Sequence, residues 1–491
     1  MKHKPFNQPQ ESQKLPAKLE ATTYGEKYVD NIHLKQKLEN RHIQFISLGG
    51  TVGTGLFLGA GSTIASAGPS VILGYLITGI IVFLIMRQLG EMSTNEPVAG
   101  SSSHFAYAYW GKFPGFLAGW NYWTEYILSG MVELTAIAAY TQYWFPNIPT
   151  WETSLFFFLF VNIVNLLTVK AFGEVEFLFS AIKVAAVCLI ILLGGYILIF
   201  NPSLVPGASI ENLWYTASGS GTFLKGFFPN GFIGFLLAFP IIIFAFDGIE
   251  LIGLTAAEAA DPKKTIPKAV NQVAYRILIF YIGSFLVLLS LYHWSKLSVV
   301  ESPFVMIFDR IGFKYAASFL NFIILTAALS VYNSCIYCNS RMLYGLALQK
   351  NAPQIFKKTN KRGVPSPAII FSGALTFLVV PLNYIFPNWI EAFEIIISFA
   401  LVGIILNWGI MVMAHLKYRQ YKNKHNQKTL FPAPFYPWSN YIAIGFLAFI
   451  LCSMALPQSG NFKQVIAVPI WVLAVWIWYK FKERNSQNAK H

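Results

Sequence analysis

The sequence predicts an all-α integral membrane protein with about twelve transmembrane helices, and three observations support this. Hydrophobic residues make up 55% of the 491 positions and charged residues only 12%, roughly half the share of a soluble domain. Mean hydropathy is +0.51. Apolar runs long enough to cross about 30 Å of hydrocarbon recur along the chain. Lys and Arg gather in alternate connections between those runs. A β-barrel would instead alternate apolar and polar residues over stretches of about ten residues, and this chain does not.

Taken in order, residues 1–42 are polar and basic, lack a cleavable signal pattern, and are expected to form a loosely ordered cytoplasmic tail. Spans are expected near 43–67, 70–94, 114–144, 152–171 and 176–200, making a first set over 43–200. A second set over 231–415 holds spans near 231–258, 270–293, 303–346, 366–385 and 391–415. Two more follow near 434–456 and 464–482, then a cytoplasmic tail, 483–491. The third and eighth spans exceed one crossing and are expected to tilt or to extend beyond the bilayer.

The net charge of +14 could suggest nucleic acid, but its placement argues for topology. Eight Lys and Arg, from Lys2 to Arg41, precede the first span. Lys263, Lys264, Lys268 and Arg276 follow the sixth, Arg341 to Arg362 follow the eighth, and Lys417 to Lys428 follow the tenth. The connections "FPNIPTWET" and "NYIFPNWIEA" carry neither residue. Both termini are therefore expected on the cytoplasmic side, with no nucleic-acid partner. The four cysteines imply no disulfide framework. Cys335 and Cys338 form a C-x-x-C inside a helix without a second pair or nearby histidines, so no metal site is expected.

Two spans are interrupted. The first contains "SLGGTVGTGLFLGAG", with Gly49, Gly50, Gly53, Gly55, Gly59 and Gly61. Each glycine weakens a helix by about 1 kcal/mol relative to alanine. Unwound backbone in a membrane is tolerated where it is buried in protein or lines a cavity. A close helix–helix contact surface would explain the same glycines. The sixth contains "FAFDGIELIG", with Asp247 and Glu250 around Gly248. Each interrupted helix opens a five-span set, and an odd number inverts the second set, which gives a 5+5 inverted repeat with broken helices one and six. Such pairs are the best pointer in a sequence to a transporter's binding site. The second half of helix one would begin near Thr54–Gly55, its positive end suiting a carboxylate. The first half of helix six would end near Phe244–Asp247, its carbonyls suiting an ammonium. Together they describe an α-amino acid, provided the breaks face each other.

The segments "GGTVGTGLFLG", "EPVAGSSSHFAYAYWG", "FGEVEF" and "LTAAEAADPKKTIPKAVNQVAYRILIFYIGS" make the chain resemble the bacterial amino acid transporter family of the amino acid–polyamine–cation superfamily. "SVYNSCIYCNSRMLYGLA" and "KRGVPSP" extend the likeness over nearly all of residues 35–480, with the aromatic amino acid and phenylalanine permeases nearest. The resemblance implies a LeuT-type fold in the bacterial inner membrane and proton-coupled import of amino acids, aromatic ones foremost, with no cofactor and no sodium site. It places substrate binding on Thr51, Thr54 and Gly55 and on Phe244, Ala245 and Phe246, with Phe244 as the outer gate. Acids fall on Glu250 and Glu258, Glu133 fits the pattern "ELTA", and a lysine falls on Lys183 where sodium-driven relatives bind a cation.

These residues also have plainer readings. Lys183 lies about two turns inside an apolar span, where a charge costs roughly 3 kcal/mol. It is expected to be a proton-titrated ammonium bridging helices one and eight, with snorkelling as the alternative. Glu250 is expected to couple protons to gating or to accept bonds from unwound backbone, and Glu258 to do the same or to pair with a loop lysine. Tyr126, with Tyr122 and Trp123, is expected to line the side-chain pocket or simply to pack. The resemblance breaks at Asp247, where the aromatic permeases carry glycine, and at Glu125, where related chains carry an apolar residue. A carboxylate at Asp247 would favour a cationic substrate such as histidine, lysine or arginine, hold the α-ammonium, or be neutralised. An exchanger on the same fold is the other alternative. No phosphate-binding loop or catalytic triad is present, so neither an enzyme nor an ATP-driven pump is expected.

Overall fold

The computed structural model describes residues 53–98, 100–167, 169–215, 222–259, 261–297, 302–305, 314–386, 388–460 and 462–488. The expectations for Thr51 and for both tails outside that range, and for the side chain of Glu258, lie outside the described residues. No strand occurs among the described residues. Among the described residues, eight helices are long and apolar enough to cross a membrane, and Thr150–Leu166 and Trp438–Met454 are shorter apolar helices.

Helix one enters with Gly53 extended, at φ −127° and ψ −150°. One turn, α1 (Thr54–Phe57), and a second segment, α2 (Gly59–Ala67), follow. A short turn with Pro69 leads into α3 (Val71–Asn95). Next come α4 (Ser101–Phe105), a π-helical turn over Ala106–Trp110, and α5 (Lys112–Gln142). The first set closes with α6 (Thr150–Leu167) and α7 (Val169–Phe200).

After α8 (Phe223–Phe227), helix six appears as α9 (Gly231–Phe244) and α10 (Leu251–Thr255), separated by an unwound stretch over 245–250. The interruption falls around Asp247–Gly248. Gly248 has φ +87°, a conformation costly for any residue with a Cβ. Proline at the first position starts α11 (Pro262–Arg276), which passes through a π-helical turn at Ile277–Gly283 into α12 (Ser284–Leu291). Then come α13 (Lys314–Leu348), the broken pair α14 (Ser366–Thr376) and α15 (Val379–Ile385), and α16 (Trp389–Lys424). The Asn388 side chain caps α16 by accepting from the Ile390 amide at 3.2 Å. The chain ends with α17 (Trp438–Met454) and α18 (Phe462–Asn488).

Helix ends differ from the expected spans where polar residues continue a helix beyond the apolar run. Helix α16 continues past 415 to Lys424, and α18 continues past 482 to Asn488. Backbone hydrogen bonding does not require apolar side chains, so hydropathy marks the crossing and not the helix end. At the centre, α5 packs against α6, α13 and α16, and α13 also packs against α7 and α14. Helix α13 is buried over most of its apolar length and α18 is largely exposed, which separates a central helix from a peripheral one.

Candidate functional site

The glycine-rich start of the described part of helix one lies against the break of helix six. A Cβ added at Gly55 would fall 2.6 Å from Ala245 Cα and 3.1 Å from the Phe244 carbonyl oxygen. Only glycine permits this approach of one backbone to the other. Gly53 is equally crowded, with Val331 of α13 at 2.7 Å and Glu133 Oε1 at 3.1 Å from its added Cβ. Of the expected substrate-binding residues, Gly55, Phe244, Asp247 and Tyr126 line one narrow cavity, which Glu133 and Ser334 also line.

Thr54 faces α5, and its hydroxyl donates to Glu133 Oε1 at 2.8 Å. The Ala245 carbonyl accepts from the Tyr281 hydroxyl at 2.5 Å, and the Phe244 carbonyl accepts from the Asp247 amide at 3.0 Å. Both carbonyls therefore already hold one donor. Phe246 is absent from the cavity lining and packs into an aromatic cluster, 4.6 Å from Tyr281 and 6.0 Å from Tyr75 between ring centroids.

The expected coupling residues fall into two groups. Glu250 is buried, accepting from the Tyr126 hydroxyl at 2.8 Å and from the Trp408 indole at 3.4 Å. Lys183, fully buried, donates to Ser330 Oγ of α13 at 2.9 Å. Ser330 in turn donates to Glu176 at 2.5 Å, and the Asn333 amide supports the same carboxylate at 3.4 Å. On α13, Ser330 serves Lys183 and its neighbour Val331 lines the cavity, which Tyr126, the partner of Glu250, also lines.

Sequence reasoning missed Glu176, although it precedes Lys183 on the same helix by seven residues, two turns, which places both on one face. It also missed Asn407 and Trp408, visible only as a polar pair in an apolar span, and Ser129, whose partners come from a distant segment. Glu125 is joined to Asp247 through Ser129, whose hydroxyl lies 2.9 Å from an oxygen of each.

Residues 42–491 match the amino acid permease family. The aromatic amino acid transport protein AroP of Shigella flexneri is 50% identical over 457 residues, 93% of this chain and 97% of that protein. AroP of Salmonella typhi shows the same identity and coverage. The amino-acid permease AapA of Bacillus subtilis is 42% identical over 471 residues, 95% of this chain and 100% of its own.

Proposed function

The chain belongs to the amino acid permease family, and we propose that it imports aromatic amino acids across the bacterial inner membrane by proton symport. It is a transporter and not an enzyme. The contact of Gly55 with Phe244 and Ala245 carries the reading, because it brings the glycine-rich stretch of helix one against the break of helix six beside a cavity with unused acceptor oxygens. The substrate's α-amino and carboxylate groups sit near Thr51, Thr54 and Gly55 on one side and the backbone carbonyls of Phe244, Ala245 and Phe246 on the other, with Asp247 beside them. Phe244 closes the site as a gate, and Tyr126, stacked on Tyr122 at 4.5 Å, supplies an aromatic wall.

In this reading the chain crosses the membrane twelve times as a LeuT-type 5+5 inverted repeat over 43–200 and 231–415, with both termini cytoplasmic. The basic residues after α10, α13 and α16 support that orientation. Protons couple through Lys183, Glu250, Glu133 and Glu258, and neither sodium nor a cofactor takes part. The support at Lys183 is an ammonium, hydroxyl and carboxylate in series across α7 and α13.

The test is uptake of radiolabelled phenylalanine, tyrosine and tryptophan by proteoliposomes holding the full chain. An inward proton gradient should drive accumulation, and unlabelled aromatic amino acids should compete. Counterflow without gradient-driven accumulation would replace symport with exchange, and no movement of any aromatic amino acid would reject the reading.

A further inference from the structure

Carboxylate oxygens of Glu125, Asp247 and Glu250 lie within 4.8 Å of one another. Glu125 is 1% exposed and Glu250 2%. Gly403 of α16 packs tightly on the Glu125 stem, since a Cβ added there would fall 2.8 Å from Glu125 Cβ. Three negative charges in this space cannot coexist without protons or a cation among them.

The hydrogen bonds say which kind of cation fits. Both Glu125 oxygens face neutral donors, Ser129 at 2.9 Å and Asn407 at 3.2 Å. Both Glu250 oxygens do so as well, through Tyr126 and Trp408. Ser129 has a single hydroxyl proton, so it serves either Glu125 Oε1 or Asp247 Oδ2, each 2.9 Å away, and Asp247 Oδ1 has no partner. A magnesium or calcium ion wants about six oxygen ligands, and this set offers only two that no donor engages at one time. An organic cation, which brings N–H donors and needs few close ligands, matches the vacancy better.

An independent observation points the same way. Glu133 Oε2 and Ser334 Oγ are also without a hydrogen-bond partner, on residues only 2% and 1% exposed. Both residues line the cavity that Asp247 lines. Unpartnered buried polar atoms occur elsewhere among the described residues too, but these three belong to residues that line one cavity, and two of them are carboxylate oxygens. An ammonium carries three donors and no acceptor. Phe244 and Tyr126 add aromatic walls of the kind that attract cations.

We propose that Asp247, backed by Glu125 and Glu250, is a subsite for a positively charged substrate side chain, so that this permease accepts basic amino acids in addition to neutral aromatic ones. The proposal rests on the amino acid permease reading and adds a substrate class to it. The same cavity could hold only the α-ammonium, and lysine and norleucine separate the cases because they differ in the side-chain ammonium alone.

The full chain, purified in detergent, is heated with graded lysine, norleucine or phenylalanine, and bound ligand raises the unfolding temperature. Lysine is expected to protect at a concentration at least about tenfold below that of norleucine, as for a buried charge pair. In Asp247→Asn and in Glu125→Gln, both close in shape to the native side chains, that gap should shrink to about twofold. Either variant suffices if the other fails to fold. Equal protection by lysine and norleucine in the parent overturns the proposal, as does a gap that survives both substitutions. Protection by sodium chloride but not choline chloride, abolished by Asp247→Asn, would assign the carboxylates to a metal ion and also overturn it. Phenylalanine protecting while lysine does not rejects the subsite and leaves the permease reading intact. Protection by no amino acid rejects both.

Discussion

Lys183 illustrates how one residue's meaning depends on its neighbours. Its ammonium, without exposed surface, donates to Ser330, and the serine hydroxyl donates to Glu176. An intramembrane lysine held in this way is a functional residue by default, because an unpaired one costs several kcal/mol. Lys183→Met should lower gradient-driven phenylalanine uptake by at least about tenfold. A variant that accumulates substrate as well as the parent would remove the lysine from coupling. The lysine was legible in the sequence because a charge stands out in an apolar span. Its partner Ser330 was not, because serine is ordinary in a helix and lies 147 positions away.

At the scale of elements, the decisive event is the meeting of helix one and helix six. Gly55 lies against backbone, which cannot yield, whereas Gly59 lies 2.9 Å from a methyl group of Ile241, which can. Gly55→Ala should therefore destabilise the protein by about 1–3 kcal/mol and suppress uptake, and Gly59→Ala should cost less than about 1.5 kcal/mol. Thermal unfolding and uptake measured side by side check both, and equal effects would contradict the backbone contact. Gly248 is held by torsion and not by space. Gly248→Ala should cost about 1–2 kcal/mol because φ is +87° there. The π-helical turn at Ile277–Gly283 holds the break from the other side, since Tyr281 within it donates its hydroxyl to the Ala245 carbonyl.

For the molecule as a whole, a buried junction away from the cavity ties distant segments together. Glu91 of α3 accepts from Arg419 at 2.7 Å, meets His415 at 2.9 Å and accepts from the Ala433 amide at 2.7 Å. Asn440 of α17 completes it, 3.0 Å from the second His415 nitrogen. The Glu91 side chain has no exposed surface, so removing its charge leaves buried partners uncompensated. Glu91→Gln should cost about 3 kcal/mol and lower the unfolding temperature. An unchanged unfolding temperature would show that the junction contributes little.

The sequence by itself determined that the chain is helical and membrane-embedded, because hydropathy and run length follow from composition along one dimension. It also determined where helix six breaks, since glycine and two carboxylates in an apolar span are local features. The family followed from long colinear motifs. Only the tertiary structure decided which polar residues share a site. Glu125 meets Asp247 through Ser129, and Glu176 meets Lys183 through Ser330. It also turned Phe246 into an aromatic cluster and left Phe244 on the cavity. Those outcomes depend on how α5, α7, α9, α13 and α16 rotate against one another. Helix rotation is set by packing volume and by the pairing of buried polar groups, both of which join residues far apart in sequence.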